Sequence, residues 1–129
     1  MQKQNPLRNQ DGFTLVEIIA VLIILGILAA VAVPRYIDLE SSAKQRAVDA
    51  AVAELNGRES LQWADVKISG TGYENDTNIH NAVDKNLGDD YSWSGLTTSG
   101  GTLTFKKANF TLSRASSSST SPAVWKRNP

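Results

Sequence analysis

Hydrophobic and polar positions follow two different patterns along this chain of 129 residues. Residues 1–12, MQKQNPLRNQDG, are polar, whereas residues 13–33 are apolar except for Thr14, Glu17 and Gly26, and Pro34 closes the run. At about 1.5 Å per residue, a helix over 13–33 is roughly 31 Å long, close to the hydrocarbon thickness of a bilayer. From Pro34 onward the pattern becomes periodic. Tyr36, Leu39, Ala43, Ala47 and Ala50 recur at helical spacing and predict one apolar stripe, and Val48, Val52 and Leu55 predict an adjacent one. Pro34 lacks an N–H and is expected to kink or open the helix without ending it, because helix-forming sequence follows at once. Glu40–Lys44 and Glu54–Arg58 are acid-before-base pairs four residues apart, suited to a solvated face. Asn56-Gly57 is a candidate stop, but Leu61, Trp63 and Ala64 continue the helical composition and carry the predicted helix to about residue 64.

Residues 65–129 read as loops, a short helix and a small sheet. The stretch 69–78 is rich in Gly, Asn, Thr and Asp and predicts a loop. A short helix is expected over 79–87, capped by Thr77 or Asn78, with Gly88 just past its end. Leu103 and Phe105, then Phe110 and Leu112, alternate with threonines and predict an antiparallel hairpin turning over 106–109. A third strand is expected near 123–126, after a flexible, uncharged serine-rich loop over 116–121. The apolar faces of these strands, with Trp93 and Trp125, are expected to cover the helix stripe. The fold class is therefore α+β: a long N-terminal helix, bare and apolar in its first half and amphipathic in its second, backed by a small antiparallel sheet. The organisation that follows is 1–12 as a leader, 13–33 as a membrane-length helix, 34–64 as the amphipathic half and 65–129 as a small body.

Charge and composition narrow the chemistry. Thirteen Lys plus Arg balance thirteen Asp plus Glu, which argues against a nucleic-acid binder working through a basic face. No cysteine is present, so disulfides, thiolate metal sites and thiol nucleophiles are excluded, and the sheet is expected to rest on packing against the helix alone. The single histidine, His80, excludes a multi-histidine metal cluster and weakens any Ser-His-Asp reading; it is expected on the surface of the short helix. A body this small buries little core and leaves little room for a deep cleft.

Three readings compete for residues 13–33. A secretory signal peptide would use the small triplet Ala30-Val31-Ala32 as its cleavage site, but the apolar run is long for one and carries Glu17. A plain membrane anchor also has to accommodate Glu17, since a carboxylate in an apolar helix costs a few kcal/mol and marks a functional candidate. The third reading rests on the motif Gly12-Phe13-Thr14-Leu15-Val16-Glu17. With its short basic leader and the apolar run closed by Pro34, it resembles the processing signal of the type IV pilins and the pseudopilins of type II secretion. The segment 34–39 is more weakly similar to pilins of the mannose-sensitive haemagglutinin type. Many of those carry a C-terminal cysteine pair, which this chain lacks.

The resemblance implies processing by a membrane-embedded prepilin peptidase, which cuts between Gly12 and Phe13 and methylates the new amino group of Phe13. Lys3 and Arg8 would hold the leader in the cytoplasm, leaving the body in the periplasm or outside. Glu17 would neutralise the N-terminal amine of a neighbouring copy, because pairing two charges in an apolar filament core is cheaper than burying either alone. Thr14 is expected either to help hold that terminus or simply to start the helix. The implied partners are the peptidase, membrane lipid before assembly, an inner-membrane assembly platform, and other copies of the chain or other pilins in a filament. No cofactor, metal or catalytic residue is implied: the chemistry is performed on the chain.

The remaining candidates lie in the body. Glu74, Asp76, Asp89 and Asp90 form an acidic cluster, expected to be a solvated loop rather than a calcium site because the C-terminal loop carries serines and no acid. Trp63, Trp93 and Trp125 are expected to serve core packing rather than sugar binding. The favoured function is a structural subunit of a pilus-like filament. A secretion pseudopilin is the alternative, and a secreted enzyme or binding protein with an ordinary signal peptide is the rival from another class.

Overall fold

The computed structural model describes Gly12 and residues 14–129; the leader residues 1–11 and Phe13 lie outside the described residues. Helix α1 spans Leu15–Ile68 without interruption. It opens at Thr14, whose hydroxyl accepts from the Glu17 amide at 3.2 Å while the Glu17 carboxylate accepts from the Thr14 amide at 2.7 Å. This reciprocal capping box satisfies two of the donors that a helix start leaves orphaned. Pro34 lies inside the helix, as expected. Asn56-Gly57 does not stop it, and α1 runs four residues beyond the expected end at Ala64. It ends where Ser69 returns its hydroxyl to the Val66 carbonyl and Gly72, at φ +67°, turns the chain.

The chain divides into two compact units, residues 1–40 and 41–129. In the first, every described residue is exposed, including the apolar run. In the second, residues of α1 from Ser41 onward pack with helix α2 (Asp76–Ala82) and with strands β1 (Tyr91–Thr97), β2 (Gly100–Phe105), β3 (Ala108–Ala115) and β4 (Val124–Arg127). The sheet is antiparallel throughout, in the order β1-β2-β3-β4. Its core joins Val48, Ala51 and Leu55 of α1 to Leu103, Leu112 and Trp125 of the sheet, with Val52, Trp93, Phe105 and Phe110 packed around them. The expected second stripe is thus the buried one. Tyr36, Leu39, Ala43 and Ala50, from the first stripe, stay exposed, and Ala47 is half-buried.

The body differs from expectation at four places, each with a local cause. Strand β1 was not anticipated, although Tyr91 and Trp93 alternate with serines. The bulge between Ser94 and Thr97, around Gly95 at φ +62°, blurs the period-two signal. The β2–β3 turn is two residues, not four: Lys106 and Lys107 both hold positive φ, 46° and 68°. Helix α2 begins three residues before the expected start at Ile79 and stops at Ala82, because the Asn75 side chain caps it by accepting from the Asn78 amide and Val83 is already extended. The 116–121 segment is a hydrogen-bonded turn rather than a flexible loop. The Ser118 hydroxyl accepts from the amides of Thr120 and Ser121, and Trp63 and Lys67 of α1 donate to the carbonyls of Ser118 and Ser119.

Two close approaches fix the sheet. Gly100, at φ +128°, leaves no room for a side chain: a Cβ there would lie 2.2 Å from the Leu112 carbonyl oxygen. Asn56 binds β4 as a neighbouring strand would. Its carboxamide oxygen accepts from the Trp125 amide at 2.6 Å, and its amide donates to the Trp125 carbonyl at 3.1 Å. The residue that resembled a helix stop is instead a clamp on the sheet edge.

Candidate functional site

The sequence places its candidate residues at the start of α1. Gly12 is exposed, at φ +75°, and among the described residues nothing lies within 4 Å of where a side chain would begin. Phe13 lies outside the described residues, so the Gly12–Phe13 bond itself is not described. Thr14 and Glu17 are brought together by the capping box, and both are exposed. Thr14 therefore starts the helix, and the Glu17 carboxylate is engaged by its own chain. Beyond them the apolar side chains are open: Leu15 is 74 % exposed, Leu22 62 % and Ile27 63 %. Among the described residues, α1 alone is long and apolar enough to cross a membrane, and none of its most apolar stretch is buried. Pro34 lies beyond this stretch, still inside the helix.

A second constellation, in the body, was not anticipated. Glu59 and Arg114 are both buried and paired: Arg114 Nε lies 2.6 Å from Glu59 Oε1, and its Nη2 lies 3.1 Å from Oε2. Arg114 also donates to both oxygens of Asp76, at 2.8 and 2.9 Å, and to the Thr98 carbonyl. Trp125 Nε1 donates to Glu59 Oε1, and Asp76 Oδ1 further accepts the amide and hydroxyl of Ser117. The Arg114 guanidinium thus ties β3 to α1, α2 and the β1–β2 turn, and Asp76 carries the link on to the serine turn. Burial alone would push the Asp76 carboxyl up, but the hydrogen bonds from Arg114 and Ser117 outweigh it and hold its pKa well below the ordinary carboxylate value. Burial likewise opposes charge on Arg114, but its bonds to Glu59 and Asp76 raise its pKa further.

Both core charges carried a legible signal. Glu59 follows Leu55 on the stripe of Val48, Val52 and Leu55, and Arg114 follows Phe110 and Leu112 on the inward face of β3. Asp76, expected in a solvated acidic cluster, instead has its oxygens engaged by Arg114 and Ser117. Among the described residues, no group of three His, Asp or Glu side chains is arranged to hold a metal ion. His80, expected on the surface, is 7 % exposed and stacks on Trp125 with ring centroids 6.4 Å apart. Trp93 and Trp125 pack in the core as expected, with centroids 5.5 Å apart, while Trp63 is half-buried over the serine turn. The body therefore does not rest on apolar packing alone, because a buried ionic centre joins its segments.

The family-model comparison falls within the first unit. Residues 7–33 match the family model described as the prokaryotic N-terminal methylation motif. The chain is 43% identical over 56 residues to the type IV narrow pilus major component PilA5 of Thermus thermophilus, which covers 43% of this chain and 48% of that protein. It is 54% identical over 37 residues to the type II secretion system core protein G of Pseudomonas aeruginosa, 29% of this chain and 26% of that protein. To a fimbrial protein of Pseudomonas aeruginosa it is 38% identical over 72 residues, 47% and 46% of the two chains. The chain thus spans less than half the length of each of these relatives. No solved structure matches the chain.

Proposed function

We propose that this chain, whose N-terminal segment is of the type IV pilin and pseudopilin kind, is a prepilin-like precursor of a filament subunit. A prepilin peptidase would cut between Gly12 and Phe13 and methylate Phe13, and the apolar 13–33 segment would pass from inner-membrane lipid into a bundle of like helices. The observation that carries this reading is a methylation motif placed directly on a membrane-length apolar helix with none of that apolar stretch buried. Such an exposed surface calls for a partner, lipid first and neighbouring helices afterwards. The body would remain in the periplasm or outside. The relatives are structural proteins, and the proposed role of this chain is structural too.

Glu17 has a defined part in this reading. It would leave its bond to the Thr14 amide and pair with the methylated amine of a neighbouring copy, setting the axial register. Thr14 keeps its hydroxyl on the Glu17 amide, and Pro34 marks the boundary of the assembling segment. The direct test is N-terminal sequencing of the mature protein. A start at N-methyl-Phe13 is expected; a start at Val33, after Ala30-Val31-Ala32, would replace this reading with ordinary secretion. Glu17→Ala is expected to be cut normally yet to assemble poorly when it is the sole copy. Wild-type filament yield from that variant would remove the register role.

The second destination, a type II secretion pseudopilus, is favoured by the likeness to core protein G. The engagement of Asp76 by Arg114, which takes it out of any acidic loop, supports the pilus reading instead. Deleting the gene and assaying surface fibres against secreted enzymes separates the two.

A further inference from the structure

His80 occupies an unusual place in the ionic centre. Its ring is buried against Trp125, and its Nδ1 is a buried atom with no hydrogen-bond partner among the described residues. The charged groups that face it come from four directions: Lys85 from the segment after α2, Arg114 from β3, Glu59 from α1 and Asp76 from the first turn of α2. Lys85 donates to the carbonyls of His80 and Val83, so its ammonium is held close to the imidazole. These four charges sum to zero. The anions are already engaged: Arg114 and Trp125 occupy Glu59, and Arg114 and Ser117 occupy Asp76. A proton added at Nδ1 would have no acceptor and would place a third cation beside Lys85 and Arg114.

We propose that His80 is an acid-responsive release for this centre, in which proton uptake by the imidazole frees α2 from Arg114 and parts Asp76 from the serine turn. α2 is seven residues long, too short to hold itself together, and depends on Asp76 and on the apolar seat of Ile79. Opening it relieves the imidazolium in one step, because His80, Asp76 and the Ser117 contacts move into water together. Burial first, then Lys85 and Arg114, hold the His80 pKa below its ordinary 6.5. A base with a depressed folded pKa contributes stability that is complete above the unfolded value. That contribution is lost as pH falls from about 6.5 toward the lower folded value. Asp76 acts at a different pH: its lowered pKa places its own loss below the ordinary carboxylate range. The release at His80 therefore opens at mildly acid pH, above the range in which Asp76 loses its charge.

His80 is the single histidine of the chain, so its imidazole resonances need no assignment by mutation. The test is an NMR titration of the full chain in detergent micelles, with hydrogen exchange of the 76–82 and 117–121 amides read at pH 7.5 and 5.0 and corrected for intrinsic rates. Expected are a titration below 6.5 and a loss of protection in both segments, about tenfold per pH unit between the two pKa values. His80→Gln is expected to abolish that pH dependence, and His80→Phe, which keeps a ring against Trp125, to do the same. A titration at or above 6.5 overturns the proposal. So does protection unchanged to pH 5.0, or an identical acid loss in either variant. The wild-type titration decides the question even if neither variant folds, and no arm of the test depends on filament assembly.

Discussion

Ile24 and Glu59 lie on the same helix with their expected burials reversed. The isoleucine is 57% exposed, and the glutamate, at 0%, is among the most buried side chains of the chain. The first unit exposes a continuous apolar surface, and the second closes around Glu59 and Arg114. The difference lies in where each side chain finds its partners. Glu59 finds Arg114 and Trp125 within the fold, so the cost of desolvating its charge is met by three hydrogen bonds. Ile24 keeps most of its surface open among the described residues, and in the proposed role that surface would be completed by lipid or by other helices.

The sharpest way to break this comparison is to remove one partner from the buried centre. Glu59→Ala leaves the buried Arg114 Nε–H and the Trp125 indole N–H without their acceptor, and is expected to cost about 3–5 kcal/mol in urea denaturation followed by tryptophan fluorescence. The combined change Glu59→Met, Arg114→Leu and Asp76→Asn removes the charges together and is expected to recover much of that loss. A single-variant cost below about 1 kcal/mol would show that the centre does not hold the body together.

A smaller effect is expected in the first unit. Ile24→Arg places a charge near the middle of the apolar run and is expected to weaken membrane insertion by about 2.5–3.5 kcal/mol, read as loss from the membrane fraction. The same variant is expected to leave the urea midpoint of the body unchanged, because none of the 14–40 side chains is buried. A shifted midpoint would mean that the two regions are not separable in this way.

The two regions were also unequally legible. The 13–33 helix follows from an unbroken apolar run, its passage through Pro34 from the helix-forming sequence beyond, and the Val48–Leu55 stripe and the 103–112 hairpin from periodicity, while the motif at Gly12–Glu17 needs no tertiary information. Glu59 and Arg114 stood at core-facing positions of those same periods. Their charge marks them as surface residues, and the pairing that buries them joins positions 55 residues apart in the chain. His80 was misplaced for a related reason: its burial is set by Trp125, on a strand 45 residues away. The Asn56 clamp was hidden by a local rule, since Asn-Gly reads as a stop until a strand edge is brought against it.

The last prediction concerns the β2–β3 turn, where the second region overrules local preference. Lys106 and Lys107 both hold positive φ, a conformation that costs a side-chain-bearing residue about 1–2 kcal/mol relative to its preferred wells. Two-residue hairpin turns with both central residues at positive φ favour Asn-Gly. The lysines are kept there by register. Phe105 must face Ala108 and Leu103 must face Phe110, so that the inward row of β2 and β3 meets the Val48–Leu55 stripe. Lys106→Asn with Lys107→Gly relieves the strain while keeping that register, and is expected to stabilise the body by about 1 kcal/mol in the same urea assay. No change, or a loss, would mean that the lysine side chains, of which the Lys106 ammonium lies over the Phe105 ring, contribute as much as the backbone strain removes. The turn would then belong to the same class as Glu59, a position where tertiary contact outweighs what the local sequence prefers.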